Sequence, residues 1–303
     1  MENVLNFKSK ILCENDLKFP EKLKKIKKPP KKLYVVGNLE ILNKPAIAIV
    51  GSRNYSEYGK RMAKKFTKEL VNEGFAIVSG LATGIDSFAH KECIYSGGKT
   101  IAVIASGVNK IYPKENIELY RKILQSGGCV ITEYSDNIEA NKKYFPNRNR
   151  LISGLSLATL VIEANYRSGT SITARFCIEQ GRKLFCIPNS LENKNASGVN
   201  NLLKKGANLV TQTEDIIKLI GKINNKVEIE KNDFSDDNNL IELSGKKLVI
   251  YKCLINGPKF ADEISNLTGF QISDVNSILS LLEIENYILK LSNNMYKVNV
   301  SDK

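Results

Sequence analysis

Two kinds of hydrophobic pattern alternate along most of the chain. Short, continuously apolar runs recur at AIAIVG (46–51), FAIVSG (75–80), TIAVIASG (100–107), CVITEY (129–134), ATLVIEA (158–164), KLFCIP (183–188) and ANLV (207–210). Continuous rather than alternating apolarity marks strands covered on both faces, the condition of a parallel sheet. Between the first two runs lies SEYGKRMAKKFTKELVNEG, in which Met62, Phe66 and Leu70 recur every four residues on one helical face. Ser56 offers this helix an N-cap and Gly74 a C-terminal stop. PKENIELYRKILQSGG follows the same design and closes at Gly127–Gly128. Strands alternating with helices of this length predict βαβ crossovers and an α/β fold: an extended, Rossmann-like, doubly wound, mostly parallel sheet over residues 45–220.

The pattern changes after that. Residues 221–243 are polar and mixed in charge and read as a linker. Residues 244–256 and 261–268 read as helices, and Ser273 caps a third that runs through Ile278, Leu281 and Leu282 to Glu285. YILKLSNNMYKVNV then gives two short strands around an Asn293–Asn294 turn. Three helices and a hairpin over 244–303 describe a small winged-helix domain. At the other end, residues 1–44 are Lys-rich, with a KKPPKK break at 27–32, and are too few to form a core alone. They are expected to pack on the middle domain as an extension.

Composition narrows the classes. Hydrophobic residues make up 42% of the 303 and charged residues 25%, enough apolar matter for a buried core and too much for a disordered or collagen-like chain. No apolar run approaches the roughly 18 residues of a membrane span. The start, MENVLNFKSK, lacks the apolar segment of a secretory signal, so the chain reads as cytoplasmic. Six cysteines are scattered without a C-x-x-C pair, which argues against both a zinc site and a disulfide framework. The net charge is +13, made of +6 over residues 1–44, +9 over 45–220 and −2 over 221–303. All eight arginines fall in the middle part. A polyanion partner docking there fits this distribution, because the guanidinium fork meets phosphate bidentately. For the charge alone, lysine acting only as a solubiliser remains the competing explanation.

In a doubly wound sheet, ligands bind beyond the carboxyl ends of the strands. That places Gly51, Ser52 and Arg53, the stretch around Asp86, the loop from Lys142 through Lys143, Phe145, Asn147, Arg148 and Arg150, and the turn Arg167-Ser168-Gly169-Thr170 at the candidate site. Ser168-Gly169-Thr170 opens a helix whose unpaired N–H groups could cradle a phosphate, with Arg53 and Arg167 closing the pocket. No G-x-G-x-x-G and no Walker P-loop is present, which disfavours NAD, FAD and ATP. No cofactor is expected. Phe145 among four cationic neighbours has the look of a base-stacking platform, though a loop aromatic serves equally often as a plug over the core. The single histidine, His90, reads as a packed helix residue. Asp86, Glu133 and Glu163 sit where carboxylates could act, but no nucleophile–base pair or metal cluster can be assembled, so catalytic residues and metal ligands are both expected to be absent. The third helix of the C-terminal domain holds three acids and no Lys or Arg, which argues against its reading a DNA groove.

GSRNYSEYG, SGLATGID, AVIASGVNKIYP, FPNRNRLISGLS, VIEANYRSGTSITA and GVNNLLKKGA, in this order and spacing, resemble the DprA/Smf family (DNA-processing protein A) over about residues 11–220. The lead-in FPEKLKKIKKPPKKLYVVGN belongs to the same likeness. The resemblance implies a non-enzymatic protein that binds single-stranded DNA taken up in natural transformation, shields it, loads a RecA-type recombinase onto it, and acts as a homodimer. It carries the DNA pocket onto Arg53, Lys142 or Lys143, Phe145, Arg148, Arg150 and the Ser168-Gly169-Thr170 turn, with Gly51, Ser52 and Asn147 beside them. Thr83, Ser135 and Asn109 depart from the family pattern without removing an expected phosphate contact. The alternative is a nucleoside-monophosphate phosphoribohydrolase of the lysine-decarboxylase-like (LOG) type. Its Gly-rich phosphate turn is only distantly echoed by Ser168-Gly169-Thr170.

Overall fold

Every residue of five strands is buried: β3 (Ala46–Val50), β4 (Ala76–Ser79), β5 (Thr100–Val103), β6 (Cys129–Thr132) and β7 (Ala158–Val161). Their unbroken apolarity is thereby explained, since neither face meets water. The computed structural model describes residues 6–166, 168–221, 246–255, 257–285, 287–291 and 294–299, and divides into two compact units, Met1–Lys226 and Val227–Lys303. The expected 221–243 linker, apart from Gly221, lies outside the described residues, as does Arg167.

In the first unit the remaining elements are β1 (Lys10–Cys13), β2 (Lys32–Gly37), β8 (Lys183–Cys186), β9 (Asn208–Leu209), and helices α1 (Glu21–Lys24), α2 (Glu57–Asn72), α3 (Ile85–Tyr95), α4 (Ile117–Gln125), α5 (Tyr144–Leu155), α6 (Gly169–Glu179), α7 (Ser197–Lys204) and α8 (Thr213–Ile220). The nine strands form one sheet in the order β1-β2-β6-β5-β4-β3-β7-β8-β9. Pairing is parallel from β6 through β9, and antiparallel where β2 joins β6 and β1 joins β2. The segment before residue 45 therefore extends the sheet itself. Leu33 and Val35 of β2 are buried while their neighbours are partly or fully exposed, the alternation of an outer antiparallel strand. Phe19 and Leu23 join the core against Leu151 and Leu155 of α5.

Alternate side chains of the strands point to opposite layers. Ala48, Val50, Val103 and Ile131 pack with α5 and α6 on one face, whereas Ile47, Ile49 and Ile77 pack with Phe66 and Leu70 of α2, Ala89 of α3 and Ile216 of α8 on the other. Ser56 caps α2 by accepting a hydrogen bond from Gly59 N, and Gly74 beyond its end has φ +85°, as the pattern predicts. The chain steps outward from β3 to β6 in one direction, then crosses back through α5 to place β7 on the other side of β3. That reversal makes the β3–β7 boundary the topological switch point.

The second unit contains α9 (Lys246–Ile255), α10 (Ala261–Thr268) and α11 (Ile272–Ile284), with a two-stranded antiparallel sheet of β10 (Ile288–Lys290) and β11 (Tyr296–Val298). Ile250, Leu254, Ile264, Val275, Leu279, Leu282 and Ile288 form its core. Ser273 does not cap α11. The left-handed Gly269 (φ +69°) ends α10, and the chain resumes a helix immediately after Gln271, which occupies the N-cap position in extended conformation. Ser273 lies inside the first turn, where its carbonyl accepts from Ser277 Oγ at 2.9 Å. Asn294 has φ +61°, as a tight turn requires, and Asn293 lies outside the described residues.

Candidate nucleic-acid interface

The turn after β3 is held by backbone contact with the turn before α3. Gly84 has φ +80°, and a Cβ there would lie 2.4 Å from the Ser52 carbonyl oxygen and 2.8 Å from Arg53 Cα. The same Ser52 carbonyl accepts from Ile85 N at 3.2 Å, and Ser52 Oγ donates to Asn54 O at 2.9 Å. Ser52 is thus consumed in shaping the turn, and Arg53 is presented outward, exposed. Beside it, the buried Leu81 is held at φ +55°, a left-handed conformation that is uncommon for a branched residue. Its carbonyl is fixed by Asn116 Nδ2 at 2.8 Å.

Phe145 through Arg150 form the first turns of α5, not the loop that the sequence predicts. Pro146 sits within the first turn, where a missing N–H costs nothing. Tyr144 stacks on Tyr134 with ring centroids 4.0 Å apart, which ties the helix start to the end of β6. A helical repeat then sorts the motif. Phe145, Arg148, Asn149 and Ile152 share the face toward the switch point, while Asn147 and Arg150 point elsewhere. The Phe145 ring is half-buried and has Arg53 Cζ at 5.6 Å, Arg148 Cζ at 5.9 Å and the Tyr112 ring at 5.7 Å. It borders open space between cations, which separates it from a plug over the core.

Arg148 is buried and serves as a bracket between strand ends. Its Nη1 donates to Gly80 O at 2.6 Å and to Val103 O, and its Nε donates to Asn149 Oδ1 at 3.1 Å. Asp86 Oδ2 accepts from Gly80 N at 3.1 Å. A Cβ on Gly80 would lie 2.7 Å from Asp86 Oδ2 and 3.0 Å from Arg148 Nη1, so only glycine lets the two groups converge. Burial lowers the Arg148 pKa to about 10, opposed by the Asp86 carboxylate, and leaves it charged at neutral pH. Burial raises the Asp86 pKa, opposed by Arg148.

Opposite this bracket stands the N-terminus of α6. Ser168 caps it by accepting from Ser171 N, and Asn149 Nδ2 donates to Gly169 O at 3.2 Å. A Cβ on Gly169 would meet nothing within 4 Å. The cavity between these groups has a volume of about 410 Å³. Of the expected site residues, it brings together Gly51, Ser52, Arg53, Phe145, Arg148, Ser168, Gly169 and Thr170. Lys142 and Lys143 are exposed just before α5 and do not line it. Asn147 and Arg150 instead line a separate cavity of about 350 Å³ with Lys27, Lys28 and Arg175. Arg150 also makes a two-pronged pair with Glu133, both contacts at 2.7 Å. Asn54, Asn149 and Tyr112 were not singled out from the sequence. Asn149 was legible, since a helical period through FPNRNR puts it beside Phe145.

The carboxylates that could have acted as acids or bases are occupied. Glu133 holds Arg150, and Asp86 lies within the bracket. The buried Glu163 accepts from Ser56 N at 3.0 Å, Asn189 Nδ2 at 3.1 Å and Asn193 Nδ2 at 2.9 Å. His90 is fully buried, with Nδ1 2.7 Å from Thr100 Oγ1, whose own proton goes to Ile77 O. Burial, reinforced by the Arg148 charge, drops the His90 pKa to about 3. Burial pushes the Cys93 and Cys186 thiols up to about 12. Among the described residues, no group of three or more His, Cys, Asp or Glu side chains is placed to hold a metal ion, and no helix is long and apolar enough to cross a membrane.

Fold and site together define a doubly wound α/β protein whose switch-point cavity joins a helix N-terminus, guanidinium groups and a half-buried aromatic ring. The chain belongs to the DNA recombination-mediator protein A family, whose model matches residues 10–221. It is 42% identical over 189 residues to protein Smf of Escherichia coli (strain K12), covering 62% of this chain and 50% of that protein. It is 41% identical over 199 residues to DNA processing protein DprA of Streptococcus pneumoniae (strain ATCC BAA-255 / R6), covering 66% and 70%. The match thus spans about half the length of the Smf proteins of Escherichia coli and Synechocystis, 50% and 54% respectively. Among solved structures, DNA processing protein A from Streptococcus pneumoniae superposes with a TM-score of 0.66 at 39% identity, covering 70% of this chain and 74% of that one. A structure reported for the single-stranded DNA binding mode of DNA processing protein A from Helicobacter pylori gives 0.64 at 32% identity, covering 71% and 96%.

Proposed function

We propose that this protein binds single-stranded DNA in the switch-point cavity, protects it, and loads a RecA-type recombinase onto it during DNA uptake and recombination, as a cytoplasmic homodimer. The observation that carries this is the Phe145 ring, half-buried and flanked by Arg53 and Arg148, facing the open N-terminus of α6. The ring offers a face to a base, Arg53 and the α6 amides offer charge and donors to phosphate, and only an unpaired base can reach the ring. Arg148 acts mainly by holding Gly80 and Val103 in place beneath the pocket. Lys142, Lys143, Asn147 and Arg150 lie outside the cavity and serve as contacts for the strand as it leaves. Arg150 must release Glu133 to do so.

The role is one of binding, not chemistry. A phosphoribohydrolase would need a carboxylate free to act at the cavity, and Asp86, which lines it, is committed to Gly80 N. We assign the C-terminal unit a winged-helix role in protein contact. Asp274 and Glu285, in and just after α11, are paired with Lys246 and Lys247 of α9, so these two cations are matched by carboxylates. A direct test supplies a RecA-type recombinase with single strands already coated by single-strand-binding protein. Addition of this protein should accelerate filament formation, and no acceleration would remove the loading step.

A further inference from the structure

A second cavity of about 430 Å³, within the size range of small-molecule sites, also borders the Phe145 ring. It shares Arg53, Ala82 and Phe145 with the first cavity and adds Gly80, Thr83, Tyr112, Pro113, Lys114 and Glu115. Tyr112 lines it, 50% exposed, with its ring inclined at 69° to that of Phe145. The support beneath is firm. Ile111 before it is buried, and the Pro113 carbonyl accepts from Asn116 N at 3.1 Å. Asn116 is itself buried and donates to Leu81 O at 2.8 Å and Ser87 Oγ at 3.0 Å. A large aromatic ring is thus displayed to solvent on a hydrogen-bonded platform, next to a ring that already borders the first cavity, with Lys114 and Glu115 beside it.

We infer that the Tyr112 cleft is a second base subsite, which takes the unpaired nucleobase adjacent to the one held in the first cavity. Arg53, common to both cavities, meets the phosphodiester between the two bases, and Tyr112 supplies the second stacking face. Stacking on a π-face accepts any base, so the subsite adds affinity without sequence preference. The subsite rests on the single-strand binding proposed above.

The experiment compares the full chain with its Tyr112→Leu and Tyr112→Phe variants, each checked for an unchanged melting temperature. Labelled oligothymidylate and a duplex of equal length report affinity. A parallel set of single strands carries 2-aminopurine at successive positions. Tyr112→Leu keeps bulk but loses the π-face, and should weaken single-strand binding roughly tenfold or more, with the salt dependence unchanged. Tyr112→Phe should bind as the original does. In the unmodified protein 2-aminopurine should be quenched at two adjacent positions, and Tyr112→Leu should lose one of them. Single-strand affinity left intact by Tyr112→Leu would overturn the subsite alone. Loss of quenching at both positions would show that Tyr112 only props Phe145, and would also overturn it. Absence of single-strand binding by the unmodified protein would instead overturn the function beneath it.

Discussion

The guanidinium carbon of Arg53 lies 5.6 Å from the centre of the Phe145 ring. One residue follows the central strand β3 and the other begins α5, the helix that carries the chain back across the sheet to β7. The contact exists only because strand order reverses between β3 and β7, which joins a phosphate-binding group and a base-binding group at one point. Phe145→Ala should therefore weaken single-strand binding by about 1–3 kcal/mol while leaving its salt dependence unchanged. Arg53→Ala should reduce the slope of log K against log salt by about 0.7, the signature of one lost phosphate contact on a single strand. Titrations at several salt concentrations check both.

Two glycines separate folding from binding. Gly84→Ala drives a Cβ against the Ser52 carbonyl at a positive φ, and should cost at least about 1 kcal/mol of stability. Gly169→Ala meets no protein atom and should leave thermal stability unchanged. Its methyl group stands at the open end of α6, so single-strand affinity should fall. Melting curves should shift for Gly84→Ala and not for Gly169→Ala, whose effect should appear in the binding isotherm alone.

Arg150 and Glu133 make the next test. Arg150→Ala leaves a partly buried carboxylate unpaired and should lower stability by about 1–3 kcal/mol. Glu133→Gln frees the guanidinium for the departing strand, and should tighten single-strand binding and steepen its salt dependence. Unaltered binding in Glu133→Gln would restrict Arg150 to holding α5 in place.

His90 predicts acid sensitivity. Its pKa falls from 6.5 in the unfolded chain to about 3 in the fold, chiefly through burial. The unfolded state therefore takes up the proton first. The stabilising contribution is present above pH 6.5 and is lost as pH falls toward 3, amounting to a few kcal/mol at the lower end. Between pH 6.5 and 4, denaturant midpoints of the original protein should fall more steeply than those of His90→Gln.

How far the sequence disclosed this arrangement depended on whether local pattern or distant contact set each element. The continuous runs at β3 through β7 announced burial on both faces and gave the strand starts to within a residue, while each strand ends before its run does, by four residues at β5. β1 and β2 escaped notice because β2 alternates and both are edged by lysines, the pattern of an outer antiparallel strand rather than a covered parallel one. Pro146 disguised the start of α5 as a loop, although a first-turn proline is compatible with a helix. Local pattern could place Arg53 and Ser168 at strand and helix ends, and Phe145 in the loop beyond β6. It could not show that Arg150 is claimed by Glu133, or that Tyr112 stands beside Phe145, since both relationships are made by the sheet.

The most direct measurement is a fluorescence-anisotropy titration of labelled poly-dT against a duplex of equal length, across a series of salt concentrations. A protein that stacks unpaired bases on Phe145 and holds their phosphates with Arg53 and α6 should prefer the single strand clearly, with affinity falling as salt rises. Equal or negligible binding to both would contradict it.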